Sequence, residues 1–209
     1  MKLYSFTATV LAFCIFLISS PVSACAQPSC HLKNITSNIK SQASLHEFTQ
    51  EKSIQVLANP LKSSGYLLLA DNETVVWQTT TPIKSTTVIS ATEFKQFNKN
   101  DQPITMPSSA DTQTSQLISS TFLAILSGNL DSLNDNFEVT SLCNDSGWDL
   151  NLEPTNSRIQ RLIKQIHIRG SQQIDQLDFT ESNGDITSIV FSATNSQQTE
   201  KQLGTYLVD

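Results

Sequence analysis

The sequence predicts a mainly β (α+β) protein, built on about eight to eleven antiparallel strands with a few helices. Short segments of strand-like sequence, separated by turn residues such as Asn183-Gly184-Asp185, fill most of the chain. A long helical periodicity is present around Leu117 to Leu126. One hairpin arm, Tyr66 to Ala70, is apolar at every position, so both of its faces have to be covered.

Residues 1–26 have the composition of a secretory signal peptide. Lys2 precedes a long apolar stretch, and small residues follow Pro21. A membrane-spanning helix is the alternative, but the apolar stretch ends at Pro21 and no stop-transfer charges follow it. The sequence therefore predicts export, with residues 27–209 forming one mature domain.

The sequence allows signal-peptide cleavage either after Ala24 or after Ala26. Ala24-Cys25-Ala26 fits the small-x-small rule of ordinary signal peptidase, whereas Val22-Ser23-Ala24-Cys25 resembles the bacterial lipobox. In the second case Cys25 would be acylated and would anchor the protein. The two alternatives are a soluble exported protein and a surface-anchored β-domain.

The net charge limits the partners. The chain carries 13 Lys and Arg against 19 Asp and Glu, and its net charge of −6 becomes −7 when Lys2 leaves with the leader. Nucleic-acid phosphates require basic patches, so this composition argues against nucleic-acid binding. It also argues against charge-driven docking on an anionic membrane.

The first half of the mature chain predicts a short helix followed by strands. Residues 31–42 carry apolar side chains at helical spacing. Residues 45–57 predict a long strand that includes Ile54 and Val56 and has one solvated face, where Glu47 and Glu51 lie. Residues 65–82 predict the hairpin, and residues 84–101 supply further strands.

The second half begins with helices and returns to strands. Leu117 to Leu126 predict a helix that Ser109 or Asp111 would cap and that Gly128-Asn129 would end. Residues 130–137 predict a second short helix. Strands are then expected within residues 137–145, 148–154, 163–171 and 174–194, the last of these being a hairpin.

The apolar hairpin arm raises the question of what covers it. The sequence predicts one helix of useful length and two short ones, too few to cover both faces of the sheet. One solution is a curved sheet that closes toward a barrel around a lipid-sized cavity, with helices at its mouth. The alternative is an ordinary β-sandwich core with the hairpin at its centre. Periodicity alone does not decide between them.

The cysteines predict one disulfide. Cys14 leaves with the leader, and Cys25 is either removed or acylated, so Cys30 and Cys143 remain as a pair. Zinc binding by these cysteines with His31 is the alternative, but no Cys-x-x-Cys or His-x3-His spacing supports it. The disulfide is the favoured interpretation.

Several segments resemble the periplasmic lipoprotein carriers of the LolA type, and more closely the LolA-like proteins found beside acyl-lipid and exporter genes. The similar segments are Phe48-Thr49-Gln50-Glu51-Lys52, Pro60-Leu61-Lys62-Ser63-Ser64-Gly65, Val75-Val76-Trp77 with Pro82, Trp148-Asp149-Leu150-Asn151-Leu152-Glu153-Pro154, Ile166-His167-Ile168-Arg169-Gly170, and Asn183-Gly184-Asp185-Ile186-Thr187-Ser188-Ile189-Val190-Phe191. The resemblance extends over about residues 30 to 195, and its specificity comes from the order and spacing of the segments.

This resemblance implies a half-barrel of antiparallel strands around a hydrophobic cavity, with helices as a lid. It also implies a periplasmic, monomeric carrier of acyl chains that meets an inner-membrane exporter and an outer-membrane receptor. If Cys25 is acylated, the same domain would be a lipid acceptor or a structural binding domain at the outer membrane. The family usually carries a lid-fastening arginine in the hairpin turn. This chain has Asp71-Asn72-Glu73 there instead. The alternative is therefore that the cargo is an amphiphile other than a lipoprotein.

Strand parity gives a set of expected cavity-lining residues. They are Phe48, Leu67, Leu69, Val75, Trp77, Val88, Leu150, Leu152, Ile166, Ile168 and Phe191. Trp77 has the alternative of being ordinary core. Phe122 and Leu126 are either the underside of the lid or ordinary contacts between helix and sheet.

The sequence does not predict an enzyme. His31, His46 and His167 are scattered, and the chain has no nucleophile elbow and no phosphate-binding loop. Glu47 and Glu51 are better explained by a solvated strand face than by a catalytic carboxylate pair. No cofactor or metal is expected.

Overall fold

The structure is a computed structural model that describes residues 30–39, 44–70, 73–104 and 112–207. The predicted signal peptide, Cys25 and the predicted helix caps Ser109 and Asp111 lie outside these described residues.

Ten antiparallel strands form an open sheet. They are β1 Ser44–Ser53, β2 Leu61–Leu69, β3 Val75–Thr81, β4 Ser85–Ile89, β5 Phe94–Phe97, β6 Phe137–Asn144, β7 Gly147–Pro154, β8 Ile163–Gly170, β9 Ile174–Glu181 and β10 Ile186–Thr194. Their order across the sheet is β5-β4-β3-β2-β1-β10-β9-β8-β7-β6. The predicted mainly β half-barrel is therefore confirmed, and the sheet is not closed.

The helices are few and short. They are α1 Leu32–Asn38, α2 Thr112–Leu126, α3 Ser157–Gln160 and α4 Gln197–Gly204, with 3-10 turns at Leu130–Asp135 and Thr205–Leu207. The described part of the chain contains no helix that is both long enough and apolar enough to cross a membrane.

The topology places α2 across one face of the sheet. β1 lies at the centre, and the chain runs outward from it, strand by strand, to β5 at one edge. After α2 it resumes at β6 on the opposite edge and returns inward to β10, which pairs with β1. Because β5 and β6 are at opposite edges, the segment between them has to cross the sheet.

The face under α2 is concave and carries the larger core. Directly paired residues of antiparallel strands share a face, so Phe191, Phe48 and Gly65 lie side by side on β10, β1 and β2. This face is covered by α1, α2, α3 and the first 3-10 turn, through Ile35, Ile125, Leu130 and other buried side chains.

The opposite, convex face has its own small core, and α4 covers it. Leu45, Leu68, Val76 and Val88 pack there against Leu203 of α4. The apolar arm of the hairpin is thus buried on both sides, by the concave core on one side and by α4 on the other. α4 was not predicted from the sequence, and without it the predicted helices were too few to cover the sheet.

β1 ends earlier than expected. The strand stops at Ser53, so Ile54 and Val56 are not part of it, and Val56 is 88% exposed in the loop that follows. The loop leads into β2, which has a register shift against β3 at Gly65. A Cβ atom at Gly65 would lie 1.9 Å from the carbonyl oxygen of Gln78, so only glycine allows this close approach.

Two further predictions are confirmed near α1 and α2. Cys30 and Cys143 form a disulfide, with Cα atoms 5.7 Å apart, which ties the start of the described chain to the edge strand β6. Gly128 ends α2 with φ +75°, the left-handed conformation that favours glycine at a helix C-terminus.

Candidate binding cleft

A cleft of about 480 Å³ lies between the middle of α2 and the concave face of the sheet. Its volume is within the range of roughly 300–1,000 Å³ typical of small-molecule sites. Most of its lining is apolar: Trp77, Ile89, Phe94, Ile118, Phe122, Leu162, Ile163, Phe179 and Ile189. The polar lining residues are Gln50, Thr87, Ser119, Glu181 and Thr187.

One part of α2 packs in the core, and another part borders the cleft. Leu123 and Ile125 are 7% and 0% exposed and hold the C-terminal half in the concave core. The middle of the helix, from Ile118 to Phe122, lies over the cleft, and Ile118 and Phe122 form its underside. Phe122 stacks on Phe179 of β9, with ring centroids 5.0 Å apart and planes at 18°. This contact sets the height of the helix above the sheet at one side of the cleft.

Trp77 lies at the boundary between the cleft and the core. Its ring centroid is 4.2 Å from that of Phe48 and 6.1 Å from that of Phe191, in an edge-on arrangement. These contacts fix the ring, yet Trp77 still lines the cleft. It is thus both a core residue and a lining residue.

Three of the polar lining residues, Gln50, Thr187 and Glu181, lie on the neighbouring strands β1, β10 and β9. Gln50 and Lys52 are successive concave-face residues of β1, and Lys52 lies opposite Thr187 of β10. The Lys52 ammonium pairs with the Glu181 carboxylate, and their side chains are 31% and 30% exposed. The cleft therefore has a long apolar part and a charged end.

Apart from Val88, the predicted lining residues fall into three groups. Trp77 and the lid candidate Phe122 line the cleft. Leu67, Leu69, Phe191 and the lid candidate Leu126 border a separate cavity of about 40 Å³, room for water only. Packed into the concave core, at most 2% exposed, are Phe48, Val75, Leu150, Leu152, Ile166 and Ile168.

Val88 was assigned to the wrong face. The pairing of β3 with β4 sets Val75 opposite Ile89, so Ile89 shares the concave face and lines the cleft. Val88 points to the convex side and packs in the core that α4 covers. Both residues are apolar, so the sequence pattern gave no basis for choosing between them.

Several lining residues were missed. Phe179 and Ile189 lie opposite predicted strand residues, and their alternation along β9 and β10 was a usable signal. Ile118 was visible in the helical periodicity of α2. Leu162 and Ile163 follow α3, and nothing in their local sequence indicated that they border the cleft.

The histidines do not come together. His46 lies on the concave face and borders the small cavity, whereas His167 lies on the convex face. Burial lowers the pKa of His46 below its ordinary value, against a smaller opposing effect of Asp175. Glu47 and Glu51 are exposed on the convex face, as predicted, and Glu51 pairs with Lys62 at 2.6 Å.

The chain has distant structural relatives. No curated protein matches it. Similar solved structures include LolA superfamily protein NE2245 from Nitrosomonas europaea (10% identity, 77% of this chain and 89% of that chain covered, TM-score 0.42). A DUF1329 family protein from Desulfovibrio piger has 10% identity, 77% and 88% coverage and a TM-score of 0.42. The MucA/MucB complex of Pseudomonas aeruginosa has 8% identity, 80% and 58% coverage and a TM-score of 0.41.

The family match is extensive. The family described as outer membrane lipoprotein carrier protein LolA-like matches residues 26–200, which include all ten strands, α1, α2 and α3. This confirms the resemblance found in the sequence segments. The chain therefore belongs to the LolA-like family of outer membrane lipoprotein carrier proteins.

Proposed function

We propose that this protein is a periplasmic carrier that shields the acyl chains of lipoproteins or related amphiphiles during transfer toward the outer membrane. The observation that carries the proposal is the apolar cleft of about 480 Å³ between α2 and the concave face. Membership in the LolA-like family supports the same function.

The energetics suit such a carrier. The transfer of a sixteen-carbon chain from water to an apolar environment is favourable by about 12 kcal/mol of free energy, at about 0.8 kcal/mol per CH₂. Such a chain therefore does not cross the periplasm unaided. A cleft lined by Ile89, Phe122, Ile189 and similar side chains binds by non-directional contact. Binding of this kind is strong enough to protect the chain and still allows release to an acceptor.

In this proposal α2 is the lid. Its middle part covers the cleft with Ile118 and Phe122, while its C-terminal end stays anchored in the core through Ile125. The turn that holds the lid-fastening arginine in related proteins falls at Asp71-Asn72-Glu73, of which Asp71 and Asn72 lie outside the described residues. The stacking of Phe122 on Phe179 is a contact within this chain that favours the closed position.

Location and partners complete the proposal. The leader supports export, and a monomer would receive its cargo from an inner-membrane exporter and deliver it to an outer-membrane receptor. Acylation of Cys25 would instead make the same domain an outer-membrane acceptor. Because Cys25 lies outside the described residues, the intact mass of the mature protein is the measurement that distinguishes the two forms.

Trp77 provides a direct test of the cleft. The protein has two tryptophans, and the other, Trp148, is 7% exposed and donates to the carbonyl of Ser171 at a distance of 2.8 Å. In a Trp148→Phe variant the fluorescence therefore reports on Trp77 alone. We expect a saturable shift when palmitate or hexadecyl maltoside is added below its micelle concentration, because an alkyl chain replaces water beside the ring.

The control is a Trp77→Phe variant that retains Trp148. Its fluorescence should not change with either probe, because Trp148 lies away from the cleft. Organic extraction of protein purified from the periplasm should also release acyl lipid. The proposal is wrong if no lipid is extracted and Trp77 responds to neither probe.

A further inference from the structure

We propose that the charged end of the cleft is a head-group site for an anionic single-chain amphiphile. Lys52 would bind the carboxylate or phosphate of the cargo, and Glu181 is the counter-ion that the cargo displaces. This inference rests on the proposed carrier function and specifies the class of cargo.

The strand register separates the apolar and polar parts of the cleft. Gln50 lies opposite Ile189, and two residues further along β1 Lys52 lies opposite Thr187. On β9, Phe179 is opposite Thr187, and Glu181 is the next residue on the same face. A chain lying among Trp77, Ile189 and Phe179 would therefore bring its polar end to Lys52 and Glu181.

The charged end has hydrogen-bond donors that no other described side chain uses. Within the described part of the chain, neither the Gln50 amide nor the Thr187 hydroxyl has a hydrogen-bond partner. The Lys52 ammonium has three N–H donors, and one of them donates to the Glu181 carboxylate. Glu181 is the only obligatory acceptor in this group. A head group rich in oxygen acceptors matches these donors, and an anionic head group matches them best.

Positive charge adjoins this end. Ser182, the residue after Glu181, donates from its backbone N–H to the Leu162 carbonyl (3.0 Å) and from its hydroxyl to the Gln160 carbonyl (2.8 Å). These bonds hold the end of α3, with exposed Arg158 and Arg161, beside Glu181. The ion pairs found among the described residues do not include either arginine.

Exchange of Glu181 for a ligand anion requires little energy. An ion pair whose side chains are about one-third exposed contributes little net stability, because water solvates the separated charges. A head group held by Lys52, Gln50 and Thr187 makes several charge-assisted and neutral hydrogen bonds at once. Glu181 can turn to solvent when the head group arrives.

The experiment compares probes that share one alkyl chain in wild type and Lys52→Gln. Both proteins would carry Trp148→Phe, and their Trp77 fluorescence would be titrated with palmitate, hexadecyl phosphate, hexadecyl maltoside and hexadecyltrimethylammonium. We expect Lys52→Gln to weaken palmitate and hexadecyl phosphate about tenfold, since one charge-assisted bond is lost, and to leave hexadecyl maltoside unchanged. If Lys52→Gln weakens the binding of only one of the two anions, that anion, the carboxylate or the phosphate, is the preferred head group.

Glu181→Gln is the second variant and Lys62→Gln the matched control. Glu181→Gln removes the competing anion, so palmitate should bind about threefold or more tightly. Lys62→Gln removes the same charge from an ion pair on the convex face and should not change any affinity. Unchanged hexadecyl maltoside binding in each variant also shows that the variant is folded.

The outcomes separate the two proposals. If no probe binds to wild type, the carrier function is wrong. If all four probes bind equally, or if Lys52→Gln weakens the maltoside as much as the anions, the cleft binds alkyl chains without a head-group site. In that case the present inference is overturned while the carrier function stands.

Discussion

Ile118 and Leu150 are both aliphatic and both face the space between α2 and the sheet, yet their surroundings differ. Leu150 is 0% exposed and packs in the concave core below the helices. Ile118 is half-buried on the underside of α2 and borders the cleft. At the scale of single residues, a side chain deep below α2 contributes to the stability of the fold, whereas one at the underside of α2 contributes to ligand binding.

We expect Leu150→Ala to lower the free energy of unfolding by about 2–5 kcal/mol, because it leaves a cavity in a packed core. Ile118→Ala should cost less than about 1 kcal/mol at its half-exposed site but weaken palmitate about tenfold through lost apolar contact. Urea unfolding and the Trp77 titration measure the two effects. Equal loss of stability in both variants would contradict this division.

At the scale of elements, α4 is what allows one strand to be apolar on both faces. Ser196 caps its start by accepting from the N–H of Thr199, and Leu203 is 0% exposed against Leu68 and Val76. Beyond α4, Tyr206 contacts Phe97 and donates to the Asp101 carboxylate at 2.5 Å. The C-terminal segment is therefore a structural cover on the convex side.

Leu203→Ala tests the cover. It should lower the free energy of unfolding by about 2–5 kcal/mol, since a fully buried leucine is truncated. Gln202→Ala is the matched control, because its side chain is exposed on the same helix. The palmitate affinity of folded Leu203→Ala should equal that of wild type, because the cleft is on the other face. A Leu203→Ala protein as stable as Gln202→Ala would rule out this role for α4.

At the scale of the whole molecule, the two halves of the sheet meet along one strand pair. β1 to β5 form one meander and β6 to β10 the other, and β1 pairs with β10. The disulfide between Cys30 and Cys143 joins the segment before β1 to the far edge strand β6, a sequence separation of 113 residues. The crosslink therefore spans both halves and closes a long loop in the unfolded chain.

Replacing Cys30 and Cys143 together by serine should lower the free energy of unfolding by about 2–5 kcal/mol, because the unfolded chain regains the entropy that the long loop removes. Urea unfolding with and without reductant measures this. Reductant should lower the wild-type midpoint to that of the double variant and leave the double variant unchanged. An unaltered wild-type midpoint in reductant would show that the disulfide does not stabilise the fold.

The sequence by itself determined the strands, the main helix and the disulfide. Alternation around Phe48, the turn at Asn183-Gly184-Asp185 and the glycine after α2 are local signals, and each is present in the structure. The even cysteine pair likewise needed only counting. These features follow from backbone preferences and chain chemistry that act over a few residues.

Only the tertiary structure decided which apolar surface is left open. Val88 and Ile89 are adjacent and both apolar, and the register between β3 and β4 chose Ile89 for the cleft. α4 was hidden because Leu203 is its only buried residue among polar neighbours. Where α2 stops covering the sheet depends on packing between residues distant in sequence. Local periodicity does not report on contacts between residues that are distant in sequence. The position of the cleft therefore could not be predicted from it.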